Sequence, residues 1–271
     1  MFEQVREAFN RQSEIFDSYE ERNDILKWMR SITREHILRH LNTGDRILEL
    51  NAGTGLDAVF LAEKKFHVHA IDISEGMLKK LDNKILRMNL QDDISFEKLS
   101  FTELNKLKIN SSLKFDYIFS NFGGLNCVDD LTKVTKHFRE VLKPGGRISL
   151  VIMPPVSPWE IILALKGKFK PAFRRLHKNG ALANVEGIKF QTYYHSYRKL
   201  KKSLGGDFKL LELQGLAAVS PPPYLDSFAK SHEKFYEFLK SADKILSHVF
   251  PFNRCSDHFI ATFKLNNIDG K

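Results

Sequence analysis

After its first forty-odd residues the chain alternates short apolar runs with amphipathic stretches of helical length, and that rhythm leaves few folds open. The runs are 46–50, 67–72, 94–99, 115–120 and 147–153. Runs this short and this apolar suit strands buried on both faces, and strands separated by a helix are joined by crossovers, which make them parallel. Right-handed crossovers put helices on either side of the sheet. The prediction is an α/β fold with a doubly wound sheet. Two further strand-like runs, 208–215 and 259–265, complete a seven-stranded, mostly parallel sheet with an antiparallel C-terminal strand.

The rest of the chain sorts around this core. Val5, Phe9, Ile15 and Phe16, then Ile25, Trp28, Met29, Ile32, Ile37, Leu38 and Leu41, recur at helical spacing and predict a helical N-terminal lid over residues 1–43. The core spans 44–155. Pro154, Pro155 and Pro158 break the rhythm, and residues 156–206 read as an inserted cap. Residues 207–271 return to the sheet, with one helix expected from about Asp226 to His248.

Composition excludes several classes. With 271 residues, 42% hydrophobic and 28% charged, the chain has ordinary globular usage. No run of about eighteen apolar residues is present, and the N-terminus lacks the apolar segment of a signal peptide, so a cytoplasmic protein is expected. Cys127 and Cys255 are far apart and lack metal-like spacing, so they read as reduced thiols with no metal site. The net charge of +9 comes from lysines scattered among acids, which describes a solvated surface better than a nucleic-acid footprint. The sequence leaves the oligomeric state open.

The most informative stretch is Ile47-Leu48-Glu49-Leu50-Asn51-Ala52-Gly53-Thr54-Gly55-Leu56-Asp57, a strand entering a glycine turn that opens a helix. Such glycines permit positive φ and let a ligand approach the backbone. Gly53, Gly55 and Ala58 also satisfy a dinucleotide fingerprint, with Asp72 at the position of a ribose-binding acid. Glu49 argues against that reading, because a carboxylate beside the turn repels a pyrophosphate and attracts a cationic ligand. Three more segments come after it in order: Ala70-Ile71-Asp72-Ile73-Ser74-Glu75-Gly76-Met77, then 115–126 with Asn121-Phe122-Gly123-Gly124, then Leu142-Lys143-Pro144-Gly145-Gly146.

Together these four segments resemble the class I S-adenosylmethionine-dependent methyltransferase family, small-molecule type, over about residues 45–153. The resemblance implies a Rossmann-like fold, with S-adenosylmethionine as cofactor and S-adenosylhomocysteine as product. It departs from the family at Asn51, which replaces the usual first glycine of the loop, and asparagine is the non-glycine residue that best tolerates left-handed backbone. It departs again at Ser100, which stands where an acid is expected near the adenine amino group. By resemblance Glu49, Asn51, Ala52, Gly53 and Gly55 form the first cofactor loop, and Asp72 holds the ribose hydroxyls. Ile73, Met77, Ser100 and Phe101 would surround the adenine, and Asn121, Phe122 and Gly123 would close the site from the fourth strand. In the lid, Tyr19 would touch the cofactor and Arg30 its carboxylate.

The acceptor is less defined. A small-molecule acceptor is expected, with a general base optional; His195 is the first candidate for it, followed by His177 and Glu160. No Asn-Pro-Pro-aromatic segment follows the fourth strand, so a nucleic-acid acceptor is disfavoured. Residues 159–178 pair an apolar segment with Lys168, Lys170, Arg174 and Arg175, a composition suited to an anionic membrane surface or a lipid-like acceptor as well as to a solvated cap helix. An NAD(P)-dependent oxidoreductase and a non-catalytic cofactor binder stay open as alternatives.

Overall fold

The computed structural model describes residues 2–108, 113–165, 167 and 173–267. Every predicted run is a strand: β1 Arg46–Leu50, β2 His67–Asp72, β3 Ile94–Lys98, β4 Phe115–Ser120, β5 Leu142–Ile152, β8 Phe208–Leu216 and β9 His258–Leu265, with β6 Ala181–Val185 and β7 Ile188–Thr192 between the last two groups. The seven-stranded sheet has the order β3-β2-β1-β4-β5-β9-β8, and only β9 runs antiparallel to its neighbours. Successive strand residues point to opposite faces, which explains the unbroken apolar runs. Ile47, Val68, Tyr117 and Phe119 pack on one side. Leu48, Leu50, Ile71, Ile118 and Leu150 pack on the other.

Helices cover both faces. The N-terminal layer is α1 Phe2–Gln12, α2 Phe16–Arg22 and α3 Asp24–Leu38, the last begun by the Asn23 side chain, which accepts from the Leu26 amide at 3.0 Å. The crossover helices are α4 Leu56–Glu63 and α5 Glu75–Met88. Short helices α6 Thr132–Thr135 and α7 Phe138–Val141 precede β5. Because β1 lies between β2 and β4, the winding reverses there and opens a crevice at the C-terminal strand ends, where sheets of this kind bind ligands.

The cap over 156–206 mixes helices with a hairpin. It contains α8 Pro158–Leu165 and α9 Tyr197–Leu204, but between them β6 and β7 form an antiparallel hairpin. Glu186 and Gly187 turn it with φ of 47° and 80°, the paired left-handed geometry of a two-residue hairpin loop. The hairpin packs on α1, with the Phe9 and Phe190 rings 6.0 Å apart, so lid and cap form one layer over the sheet. The helix expected over 226–248 is two, α10 Asp226–Ser231 and α11 Glu233–Leu246, separated at His232. Among the described residues no helix is long and apolar enough to cross a membrane.

Candidate functional site

A cavity of roughly 870 Å³, counting the space at its mouth, lies at the crevice beside β1. Its floor is the first turn. Asn51 has φ 47°, the conformation that a glycine would otherwise supply. Its side-chain amide donates to the Asn121 carbonyl at 3.0 Å and its side-chain oxygen accepts from the Ser120 hydroxyl at 2.6 Å. Gly124 makes room for this side chain: a Cβ there would fall 2.3 Å from Asn51 Cγ. The substitution at position 51 is thus accommodated by a glycine on the loop after β4. Gly53 opens towards the cavity, with nothing nearer than 4.0 Å to a built Cβ.

Two carboxylates face this space. Asp72 ends β2 and accepts from the Gly53 amide at 2.9 Å and the Ser74 amide at 2.8 Å. Burial raises its pKa, and the backbone donors oppose that rise. Glu49 is only 2% exposed, and its Oε2 has no hydrogen-bond partner among the described residues. Burial, then the nearby Asp57 charge, holds the Glu49 carboxyl well above the ordinary carboxylate range, although Arg30 and Arg34 pull the other way. A buried carboxylate with an open oxygen is a costly feature for a fold to keep without a ligand to answer it.

The lid supplies the roof. Phe2, Val5 and Phe9 of α1 and Phe16 of α2 line the cavity, and Phe2 meets Phe101 edge-to-face at 6.0 Å. Asn10 fastens α1 by accepting from the Ser74 hydroxyl at 2.6 Å and the Gly76 amide at 3.0 Å. Asp17 fastens α2, accepting from the Thr54 hydroxyl at 2.5 Å and pairing with Lys84 at 2.7 Å.

Of the residues singled out in the sequence, Glu49, Asn51, Ala52, Gly53, Asp72, Ile73, Met77, Ser100, Phe101, Asn121 and Phe122 come together around the cavity. Arg30 lines it too, but its guanidinium is paired with Glu20 and Asp57, so it locks the lid to α4 instead of offering a free cation to a ligand carboxylate. Tyr19 is 47% exposed and outside the cavity, because Phe16 and Glu20 take the inward side of α2. Gly55 faces α5: a Cβ there would strike Leu81 Cδ1 at 2.2 Å. Gly123 sits beside the cavity, and Gly124 and Cys127 line it in its place.

The proposed bases are placed elsewhere. His195 is buried with Nε2 on the Val128 carbonyl at 2.8 Å, and burial lowers its pKa. His177 is exposed in the cap. Glu160 is buried in ion pairs with Arg174 and Arg175, which also removes those two cations from a free basic face. Lys168 and Lys170 lie outside the described residues. Sequence reasoning missed the aromatic roof, although Val5 and Phe9 already showed helical spacing, and it missed Asp57, whose position in the first turn of α4 was visible.

Known proteins share this fold. Residues 47–146 match the methyltransferase domain family. Over those residues the core is similar to methyltransferase domains. The chain is 30% identical over 162 residues to the demethylmenaquinone methyltransferase of Leptospira interrogans, covering 57% of this chain and 63% of that one. It is 32% identical over 143 residues to the ubiquinone/menaquinone biosynthesis C-methyltransferase of Rickettsia bellii, covering 50% and 56%. The chain thus spans about three-fifths of the length of the curated relatives it matches. Among solved structures, the Burkholderia thailandensis 1,6-didemethyltoxoflavin-N1-methyltransferase, determined with 1,6-didemethyltoxoflavin and S-adenosylhomocysteine bound, shares the methyltransferase fold. That match has a TM-score of 0.58 at 14% identity and covers 97% of this chain and 88% of that one.

Proposed function

We propose that the chain transfers a methyl group from S-adenosylmethionine to a small, weakly acidic aromatic acceptor, of which a reduced quinone is the leading example. The observation that carries the reading is the open Oε2 of buried Glu49, facing a cavity shared with Asp72. A ligand with an ammonium group and a sulfonium answers that carboxylate, and a ribose diol answers Asp72. A pyrophosphate finds no such match, because Arg30, the cation at the cavity, is already paired with two carboxylates.

In this assignment Glu49 holds the ammonium end, the backbone of Asn51–Gly53 contacts the ligand, and Ile73, Met77 and Phe101 enclose the adenine. Ser100 faces the adenine amino group. S-adenosylmethionine supplies an activated methyl carbon and takes up the bonding electron pair at sulfur. The chain's own task is alignment and exclusion of water, which the roof of Phe2, Val5, Phe9 and Phe16 performs. The quinone methyltransferases among the relatives support the acceptor class. Transfer of a radiolabelled methyl group to short-chain demethylmenaquinol, scored against phenol and amine acceptors, tests it. Transfer to amines alone would overturn the acceptor class.

A lipid-facing acceptor entrance is a second reading, favoured by the exposed Ile161, Ile162 and Leu165 of α8, the last 83% exposed. Co-sedimentation with anionic vesicles that L165D abolishes supports it, and no binding at low salt removes it.

A further inference from the structure

Asp257 and His258, at the start of β9, are a polar pair that the cofactor site does not use. Because β9 runs antiparallel to β5, its first residues lie at the same sheet edge as the cavity. His258 Nδ1 bonds Asp257 Oδ2 at 2.9 Å, so Nδ1 is the donor to the carboxylate and Nε2 is the ring nitrogen left for a second partner. Nε2 has no hydrogen-bond partner among the described residues, and the side chain keeps 9% exposure. The ring meets Phe122 edge-to-face at 6.1 Å, so the imidazole stands one side chain from the cofactor cavity. Gly123 keeps a side chain from the spot beside Nε2, where a Cβ would meet Asn126 Oδ1 and Met153 Cε at 3.1 Å and Nε2 itself at 3.4 Å.

The pair is held rigidly by the cap. Arg175 donates to Asp257 Oδ1 at 2.7 Å and to its carbonyl at 2.8 Å, and Glu160 accepts from Arg175 at 2.8 Å. Buried Glu160 keeps a second oxygen, Oε2, without a partner among the described residues. Arg174, Tyr194 and Tyr224 complete the charged and titratable groups around the cluster.

We propose that Asp257 and His258 are a general-base dyad serving an acceptor with an ionisable hydroxyl, bound on the Phe122 side of the cofactor cavity. The inference rests on the methyltransferase reading above. His258 Nε2 takes the hydroxyl proton while Asp257 stabilises the imidazolium that forms. The electron pair freed on oxygen, or on the carbon conjugated with it, forms the bond to the methyl carbon, and the carbon–sulfur bond breaks with its pair going to sulfur. In methylation at carbon, the ring proton then leaves to water and the imidazolium returns its proton to the acceptor oxygen, which restores the aromatic acceptor and the neutral imidazole. Arg175 acts as a positioning residue.

Two measurements on the full chain separate this inference from the cofactor reading. In the first, nitrogen NMR of labelled histidine with saturating S-adenosylhomocysteine follows His258 as p-nitrophenol is added; the Nε2 signal should shift in wild type, and p-nitrophenol should bind at least tenfold more weakly to H258Q. In the second, H258Q should lose roughly 100- to 10,000-fold in kcat at neutral pH with an unchanged KM for S-adenosylmethionine, and should recover activity at alkaline pH where the acceptor ionises unaided. D257N should fall in the same direction. An unmoved His258 signal, or an H258Q enzyme with the wild-type rate and pH profile, overturns the dyad while leaving cofactor binding intact. Failure of S-adenosylhomocysteine to bind overturns the cofactor reading, and p-nitrophenol still reports on His258 in the free chain.

Discussion

The Asp72 carboxylate accepts from the Gly53 amide at 2.9 Å, so the acid at the end of β2 also fixes the glycine turn at the end of β1. The two motifs are one rigid unit before any ligand arrives. Replacing Asp72 with alanine therefore removes a charged acceptor from the ligand and from two backbone amides. S-adenosylhomocysteine binding should weaken by about 1.5–3 kcal/mol and the melting temperature should fall as well. Asp72→Asn, which keeps an oxygen for one of the two amides and turns a donor towards the other, should recover part of the stability and little of the affinity. Calorimetry beside a thermal melt reads both.

Asn51 and Gly124 form a second coupled pair. A methyl group at position 124 would press on the Asn51 amide at 2.3–2.7 Å, so Gly124→Ala alone should destabilise by about 1–3 kcal/mol. Glycine at position 51 removes the obstruction. Denaturation of the two single variants and of N51G/G124A should give a coupling energy of about 1–2 kcal/mol, and additive effects would contradict the packing.

Gly53 and Gly55 are two residues apart and should behave differently. Gly53→Val places its branches in open space near Phe16 and Met77, at a φ of 58° that disfavours valine, and should lower cofactor affinity at least tenfold in a chain that still folds. Gly55→Val drives into Leu81 and should cost more stability than binding explains. Melting curves with and without S-adenosylhomocysteine distinguish the two.

That difference marks where the sequence stopped being legible. The strands and their order of appearance followed from apolar runs, and the ring of cavity residues from the family resemblance that the four segments carry, because runs and motifs are both local. Gly55 was grouped with Gly53 since a motif records a turn's residues without recording which way each one points. Tyr19 and Phe16 sit on one short helix, and only packing on the cavity decides which of them turns inward. The β6–β7 hairpin was hidden because Ala181–Val185 alternates weakly and Glu186-Gly187 is a muted turn signal. Arg175, Asp257 and His258 meet across 82 positions of chain, a juxtaposition that no local pattern encodes.

Glu49 gives a pH signature. Burial first, then Asp57, raises its carboxyl above the ordinary value of 4.5, so the charged form is disfavoured in the folded chain. A raised folded value means that the group's contribution to stability is whole below the unfolded value and is lost as the pH rises through the folded one. Glu49→Gln should therefore become more stable relative to wild type across that rise, with a limiting slope of about 1.4 kcal/mol per pH unit. The same variant should bind S-adenosylmethionine more weakly. Wild type should release protons on binding the cation, as titrations in buffers of different ionisation enthalpy would show.

The central claim is that the cavity at Glu49 and Asp72 holds S-adenosylmethionine, and isothermal titration of the purified chain tests it most directly. Wild type should bind S-adenosylmethionine and S-adenosylhomocysteine saturably at one site per chain, with both affinities lowered in E49Q and D72A, and NAD should give no comparable heat. Saturable binding of NAD or NADP with none of S-adenosylmethionine or S-adenosylhomocysteine would contradict it.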